Sequence, residues 1–149
     1  MDKKYVQKII PEVQTKDFPV NKFVLRKFVK EYYQNNFQGR MTVVNMDKGI
    51  SIQVIGEGKK KTSYDAAMYP KKAAAVMVLD KLLTYAKYSN WGERKDTDPT
   101  SVIGYLNFKV KILIDSSLCY FALNVQVRKD GKFQYSLDEN RLQIKNPPK

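Results

Sequence analysis

The sequence predicts an α+β fold in which two helices pack on a twisted antiparallel sheet of about five strands, preceded by a basic N-terminal arm. Three observations predict it. Apolar residues recur at helical spacing over 21–34 and 70–88. They alternate with polar residues over 50–54, 105–114, 119–128 and 132–137. Turn signals, Asp47-Lys48-Gly49 and Asp130-Gly131, lie between alternating stretches as they do in hairpins. At 149 residues the chain fits one domain, 1–149, with residues 1–16 as the arm and 139–149 as a flexible tail.

Each element has its own reason. The arm is mixed, basic and interrupted by Pro11. Asp17-Phe18-Pro19-Val20-Asn21 opens the first helix, with Asn21 or Asp17 as cap. Val24, Leu25, Phe28, Val29 and Tyr32 form its apolar set, and Asn35, Asn36 and Gly39 end it. Residues 41–46 read as a strand that turns into a second one over 50–54. Residues 56–64 read as a flexible basic loop. The second helix runs from after Pro70 to about Tyr88, with Ala75, Val76, Leu79, Leu82, Leu83 and Ala86 as its buried stripe. Residues 89–101 are polar and read as a loop, with Trp91 as a cover on the core rather than a stacking residue. The last third is strands.

Composition narrows the chemistry. The apolar fraction of 43% and the charged fraction of 28% are those of a globular protein. No run reaches the ~18 apolar residues of a membrane span, and the N-terminus lacks the apolar core of a secretory signal, so no membrane partner is expected. A single cysteine, Cys119, excludes an intramolecular disulfide and a multi-cysteine metal site. The absence of histidine removes imidazole ligands and His-based acid–base catalysis, so neither a metal nor a cofactor is expected. Cys119 falls among the apolar positions of its strand and reads as a core thiol. Asp96 and Asp98, beside a proline turn, do not make a metal site.

Charge points to a partner. The chain carries 27 Lys and Arg against 15 Asp and Glu, net +12, which invites a polyanion. Residues 73–100 balance four cations with four acids, while residues 1–40 carry nine against four. The excess is therefore segregated. Gly58-Lys59-Lys60-Lys61-Thr62 is not a phosphate-binding P-loop, because Gln53 stands where the pattern needs glycine. Lys59, Lys60 and Lys61, with Tyr64 beside them, remain a phosphate clamp or a solvated tip.

Parity then defines a face. Cross-strand partners point the same way, so a three-residue loop, Lys129-Asp130-Gly131, must set Arg128 opposite Lys132 and Val127 opposite Phe133. Leu106, Phe108, Val110, Ile112, Ile114, Phe121, Leu123, Val125 and Val127 then face the core. Tyr105, Asn107, Lys109, Lys111, Tyr120, Asn124, Gln126, Arg128 and Lys132 face outward, with no carboxylate among them. Cations hold phosphates, amides read base edges and aromatics stack bases, so this face is the expected nucleic-acid surface.

The runs Tyr33-Gln34-Asn35-Asn36-Phe37-Gln38-Gly39, Val43-Val44-Asn45, Lys48-Gly49-Ile50-Ser51-Ile52-Gln53-Val54, Leu79-Asp80-Lys81-Leu82-Leu83 and Asp130-Gly131-Lys132-Phe133-Gln134-Tyr135 resemble a large polyvalent protein-associated domain of phages and conjugative elements. The resemblance covers about residues 23–137. It implies a mobile-element protein in the bacterial host cytoplasm, a fold similar to the barnase–EndoU–colicin–RelE-like nucleases, and RNA as ligand. Two functions compete. One is a protein that binds RNA or a host ribonucleoprotein, as an anti-CRISPR-like inhibitor would. The other is a metal-independent RelE-type endoribonuclease, with Lys109 or Lys111 as base, Arg128 stabilising the phosphorane and Tyr120 positioning the nucleotide. The first is favoured.

Overall fold

A computed structural model describes residues 7–37, 41–55, 70–135 and 142–145. Its elements are β1 (Glu12–Val13), α1 (Lys22–Asn36), β2 (Met41–Asn45), β3 (Ile50–Val54), α2 (Pro70–Met77), α3 (Leu79–Tyr85), β4 (Lys87–Glu93), β5 (Val102–Ile114), β6 (Ser117–Arg128), β7 (Phe133–Tyr135) and β8 (Leu142–Lys145). The expected two helices on five antiparallel strands is overturned: the described residues form a curled, mixed, eight-stranded sheet with three helices. Strand accounts for 44% of the described residues and helix for 26%, so the sheet dominates.

The axis of the sheet is the long β5–β6 hairpin, paired without interruption from Gly104↔Val127 to Ile114↔Ser117. Its tip is a two-residue turn with Asp115 and Ser116 both at positive φ, 49° and 69°. β4 and β1 flank β5, while β8 and β7 flank β6. β3 and β2 extend the sheet beyond β7. Two pairings are parallel, β1 with β5 and β3 with β7.

The extra strands escaped sequence reading for physical reasons. β4 replaces the end of the expected second helix at Lys87 and Tyr88 and the start of the expected loop over 89–101; it is an edge strand, mostly exposed on both faces, so its sequence does not alternate. β1 lies in the expected arm and β8 in the expected tail. β1, with two residues, is too short for a pattern to register, and β8 has four, enough for only one repeat of an alternation. The expected single helix over 70–88 breaks at Val78, and Ala86 leaves helical geometry with φ −65° and ψ 143°.

Other expectations agree with the structure. Asn21 caps α1, its side-chain oxygen accepting from the amides of Phe23 and Val24 at 2.9 and 3.2 Å. In the β6–β7 turn the Arg128 amide donates to the Lys132 carbonyl at 3.0 Å, Gly131 takes φ 84°, and Val127 pairs with Phe133. The predicted core face of β5 and β6 is buried throughout, beneath the helices.

Two polar anchors hold the ends of the curl. Asn45, fully buried, donates to the carbonyls of Leu83 and Ala86 at 2.8 and 2.9 Å and accepts from the Lys48 amide at 2.9 Å. This ties the β2–β3 turn to the end of α3. At the hairpin tip, Thr15 donates its amide (2.8 Å) and its hydroxyl to the Asp115 carboxylate. Those hydrogen bonds favour the ionised form and hold the carboxyl below its ordinary range.

Candidate functional site

With the helices on one side of the β5–β6 hairpin, its other side is open, and strand register sorts the open face into rows. Lys111, Tyr120 and Lys145 form one row across β5, β6 and β8. Lys87, Lys109, Ala122 and Gln143 form the next, across β4, β5, β6 and β8. Asn90, Asn107 and Asn124 follow across β4, β5 and β6. Tyr105, Gln126, Gln134, Gln53 and Thr42 continue across β5, β6, β7, β3 and β2. In that last row the Gln134 amide donates to Gln53 Oε1 at 3.1 Å. None of these four rows contains a carboxylate. Glu12 shares the face only at the far edge, opposite Leu113.

The middle rows sink into an open trough of about 560 Å³. Its polar lining is three lysines (Lys95, Lys109, Lys145), four amides (Asn90, Asn107, Asn124, Gln143) and Ser89. Ala122 is the reason for the depth, since the register puts a methyl group where neighbouring rows carry long chains. β4 bulges between Tyr88 and Asn90, which brings Asn90 opposite Asn107.

Lys95 is positioned by a braced loop. Its amide donates to Asp98 Oδ2 at 2.7 Å. Arg94 donates from Nε to the Val102 carbonyl at 3.0 Å and from Nη2 to the Asp98 carbonyl at 2.6 Å. Asp98 is thus drawn into the loop's own hydrogen bonds. Three lysines around one trough, with no carboxylate among its described lining residues, make a positive field, and an anion in the trough would satisfy it.

The structure brings some predicted residues together and separates others. Lys109 lies in the trough. Lys111 and Tyr120 are cross-strand neighbours one row away, and Tyr105 stands opposite Gln126 on the other side. Arg128 and Lys132 meet at the β6–β7 turn, eight residues along β6 from Tyr120, about 26 Å at ~3.3 Å per residue. Lys59, Lys60, Lys61 and Tyr64 lie outside the described residues. Cys119 is buried, as a core thiol should be.

Sequence reading missed Lys87, Lys95 and Lys145, with Asn90 and Gln143. The alternation Leu142-Gln143-Ile144-Lys145 was a usable signal for β8. Nothing local marks Lys95, whose place depends on the Arg94 brace. Among the described residues no group of His, Cys, Asp or Glu side chains is placed to hold a metal.

Residues 21–135 match the family described as Large polyvalent protein-associated domain 3. No curated protein and no solved structure matches the chain.

Proposed function

We propose a function from one premise: the chain belongs to the large polyvalent protein-associated domain 3 family, a domain associated with phage polyvalent proteins. The protein binds RNA, free or within a host ribonucleoprotein, through the trough on the open sheet face. One observation carries this reading: among the described residues, three lysines and four amides line the trough and no carboxylate joins them. Lysines neutralise phosphates and amides pair with base edges. In a phage-associated protein such binding serves to seize the RNA of a host defence complex in the host cytoplasm, an anti-CRISPR-like role.

The alternative is a RelE-type endoribonuclease using Lys109, Lys111, Tyr120 and Arg128, and the implied barnase–EndoU–colicin–RelE-like fold would serve it. Catalysis needs those groups around one phosphate, and the span from Tyr120 to Arg128, about 26 Å, is too long for that. Binding is therefore the better reading. Purified protein mixed with labelled single-stranded RNA in EDTA should give a retarded, intact band. Cleaved RNA would make the protein a nuclease, and an unshifted band at low salt would overturn RNA binding.

A further inference from the structure

We propose that β2 is a docking edge for a second copy of this chain, which adds its own β2 antiparallel and joins the two sheets into one. The inference stands apart from RNA binding.

Among the described strands, β1, β8, β4 and β2 each pair on one side only. An open edge offers main-chain hydrogen bonds to another strand, and proteins blunt such edges by shortness, charge or a bulge. β1 has two residues. β8 has four and ends on Lys145. β4 bulges between Tyr88 and Asn90 and carries Lys87 and Glu93 at its ends. β2, Met41-Thr42-Val43-Val44-Asn45, has none of these devices. It is of ordinary strand length, pairs with β3 in unbroken register, and contains neither a charge nor a proline.

The outward groups of this edge can be placed. Met46 donates its amide to the Thr84 carbonyl of α3 at 2.9 Å, so that amide points away from β3. Main-chain groups alternate in direction along an antiparallel strand, so the amides and carbonyls of Val44 and Thr42 point the same way. Among the described residues no strand pairs with them.

Their spacing favours a copy of the same strand. An antiparallel β2 centred on Val43 sets Thr42 opposite the partner's Val44 and Val44 opposite the partner's Thr42. Every outward amide and carbonyl of the two residues is then paired. The side chains agree: Val44 is 54% exposed, and the pairing lays a second β-branched side chain beside it. Because β2 is uncharged, the seam brings no like charges opposite each other, although each chain carries net +12. The two-fold axis stands perpendicular to the joined sheet, so both troughs open on the same side.

Sedimentation velocity of the RNA-free chain over a dilution series tests this. The mass should rise with concentration from 17.3 kDa towards twice that value. Val44→Pro removes an outward amide and no β2–β3 hydrogen bond, so it should keep the fold and lose the dimer. Val44→Thr, which keeps the amide and the β-branched shape, should keep the dimer. Amide exchange on the unaltered chain gives a second measurement, needed if Val44→Pro fails to fold. The Thr42 and Val44 amides should gain protection as concentration rises, while the Met46 amide is protected throughout. A monomer at every concentration overturns the proposal. So does a dimer that survives in folded Val44→Pro, or one that leaves the Thr42 and Val44 amides unprotected. Protection that dilution does not change also overturns it, because the same chain would then cover the edge. All of these outcomes leave the RNA reading untouched, since no RNA is present.

Discussion

The indole of Trp91 occupies the space that a side chain on Gly104 would need: a Cβ built there would lie 2.0 Å from Trp91 Cζ2. Trp91 pairs with Leu106 and is 40% exposed, so it roofs the edge of the core where β5 begins. Gly104→Ala should expel the ring and destabilise the protein by about 1–3 kcal/mol, the usual cost of overpacking. The only tryptophan in the chain reports it, through a red-shifted emission. In a Trp91→Ala background the same change should be neutral or stabilising, because alanine suits a strand better than glycine. Additivity of the two changes in a double-mutant cycle would refute the packing account.

Asn45 supports the curl in another way. It is the one fully buried amide side chain among the described residues, and its three hydrogen bonds join β2, the following turn and the end of α3. Asn45→Ala should cost about 3 kcal/mol, since it strands two buried carbonyls and leaves the part-buried Lys48 amide without its acceptor. Asn45→Asp should cost more. It keeps the acceptor for Lys48 but turns a carboxylate towards the carbonyls of Leu83 and Ala86. Chemical denaturation of the two variants gives the ranking directly.

Parity made the long hairpin legible. The alternation of Leu106 to Ile114 and Phe121 to Val127 fixed which face is buried, and the three-residue turn followed from keeping Val127 opposite Phe133. The same reasoning stopped where strands are short or doubly exposed. Lys87–Glu93 shows no alternation because an edge strand buries neither face fully. Parallel pairings such as Val54↔Tyr135 join segments far apart in sequence, and no local turn announces them. The trough inherits that difficulty. Lys109 was visible from its own strand, whereas Lys145 and Lys95 arrive from β8 and a braced loop.

Acid should loosen β1 first. Asp115 titrates below its ordinary range because Thr15 donates two hydrogen bonds to the ionised form. Its contribution is fully present above ~pH 4, where the unfolded chain's carboxylate is already charged. It is lost as pH falls through the lower folded value. Amide exchange reads the change at Leu113 and Asp115, whose amides donate to the Pro11 and Val13 carbonyls at 2.8 and 2.9 Å. Asp115→Asn tolerates the positive φ but cannot recharge, so acid should no longer alter protection there. Unchanged exchange in the wild type down to pH 2 would exclude this role.

Adjacent residues on β6 should respond oppositely to the same substitution. Val127 is buried against Phe133, so Val127→Glu should unfold the protein. Arg128 faces the open side, and Arg128→Glu should leave the melting temperature within a few degrees. Its effect on RNA should depend on salt. Arg128 lies four residues along β6 from Asn124, roughly 13 Å from the trough, beyond the Debye length of about 8 Å at physiological ionic strength. Affinity should fall in dilute buffer and hardly change at 0.15 M. A complete loss of binding at 0.15 M would move the binding surface towards the β6–β7 turn.

The trough lysines set the salt response. Each phosphate neutralised on a single strand contributes about −0.7 to the slope of log affinity against log salt. Lys95, Lys109 and Lys145 line the trough, while Lys87 and Lys111 occupy the same face within one strand spacing of Lys109 or Tyr120. With all five engaged the slope should be about −3.5. Replacing Lys109 or Lys145 with Ala should flatten it by about 0.7 each and lower affinity for every RNA sequence alike, because a lysine on a phosphate carries no sequence information. Lys81→Ala, an exposed position on α3 away from the sheet's open face, should leave the slope as it is. Equal flattening by all three substitutions would mean that RNA responds to net charge and not to this site.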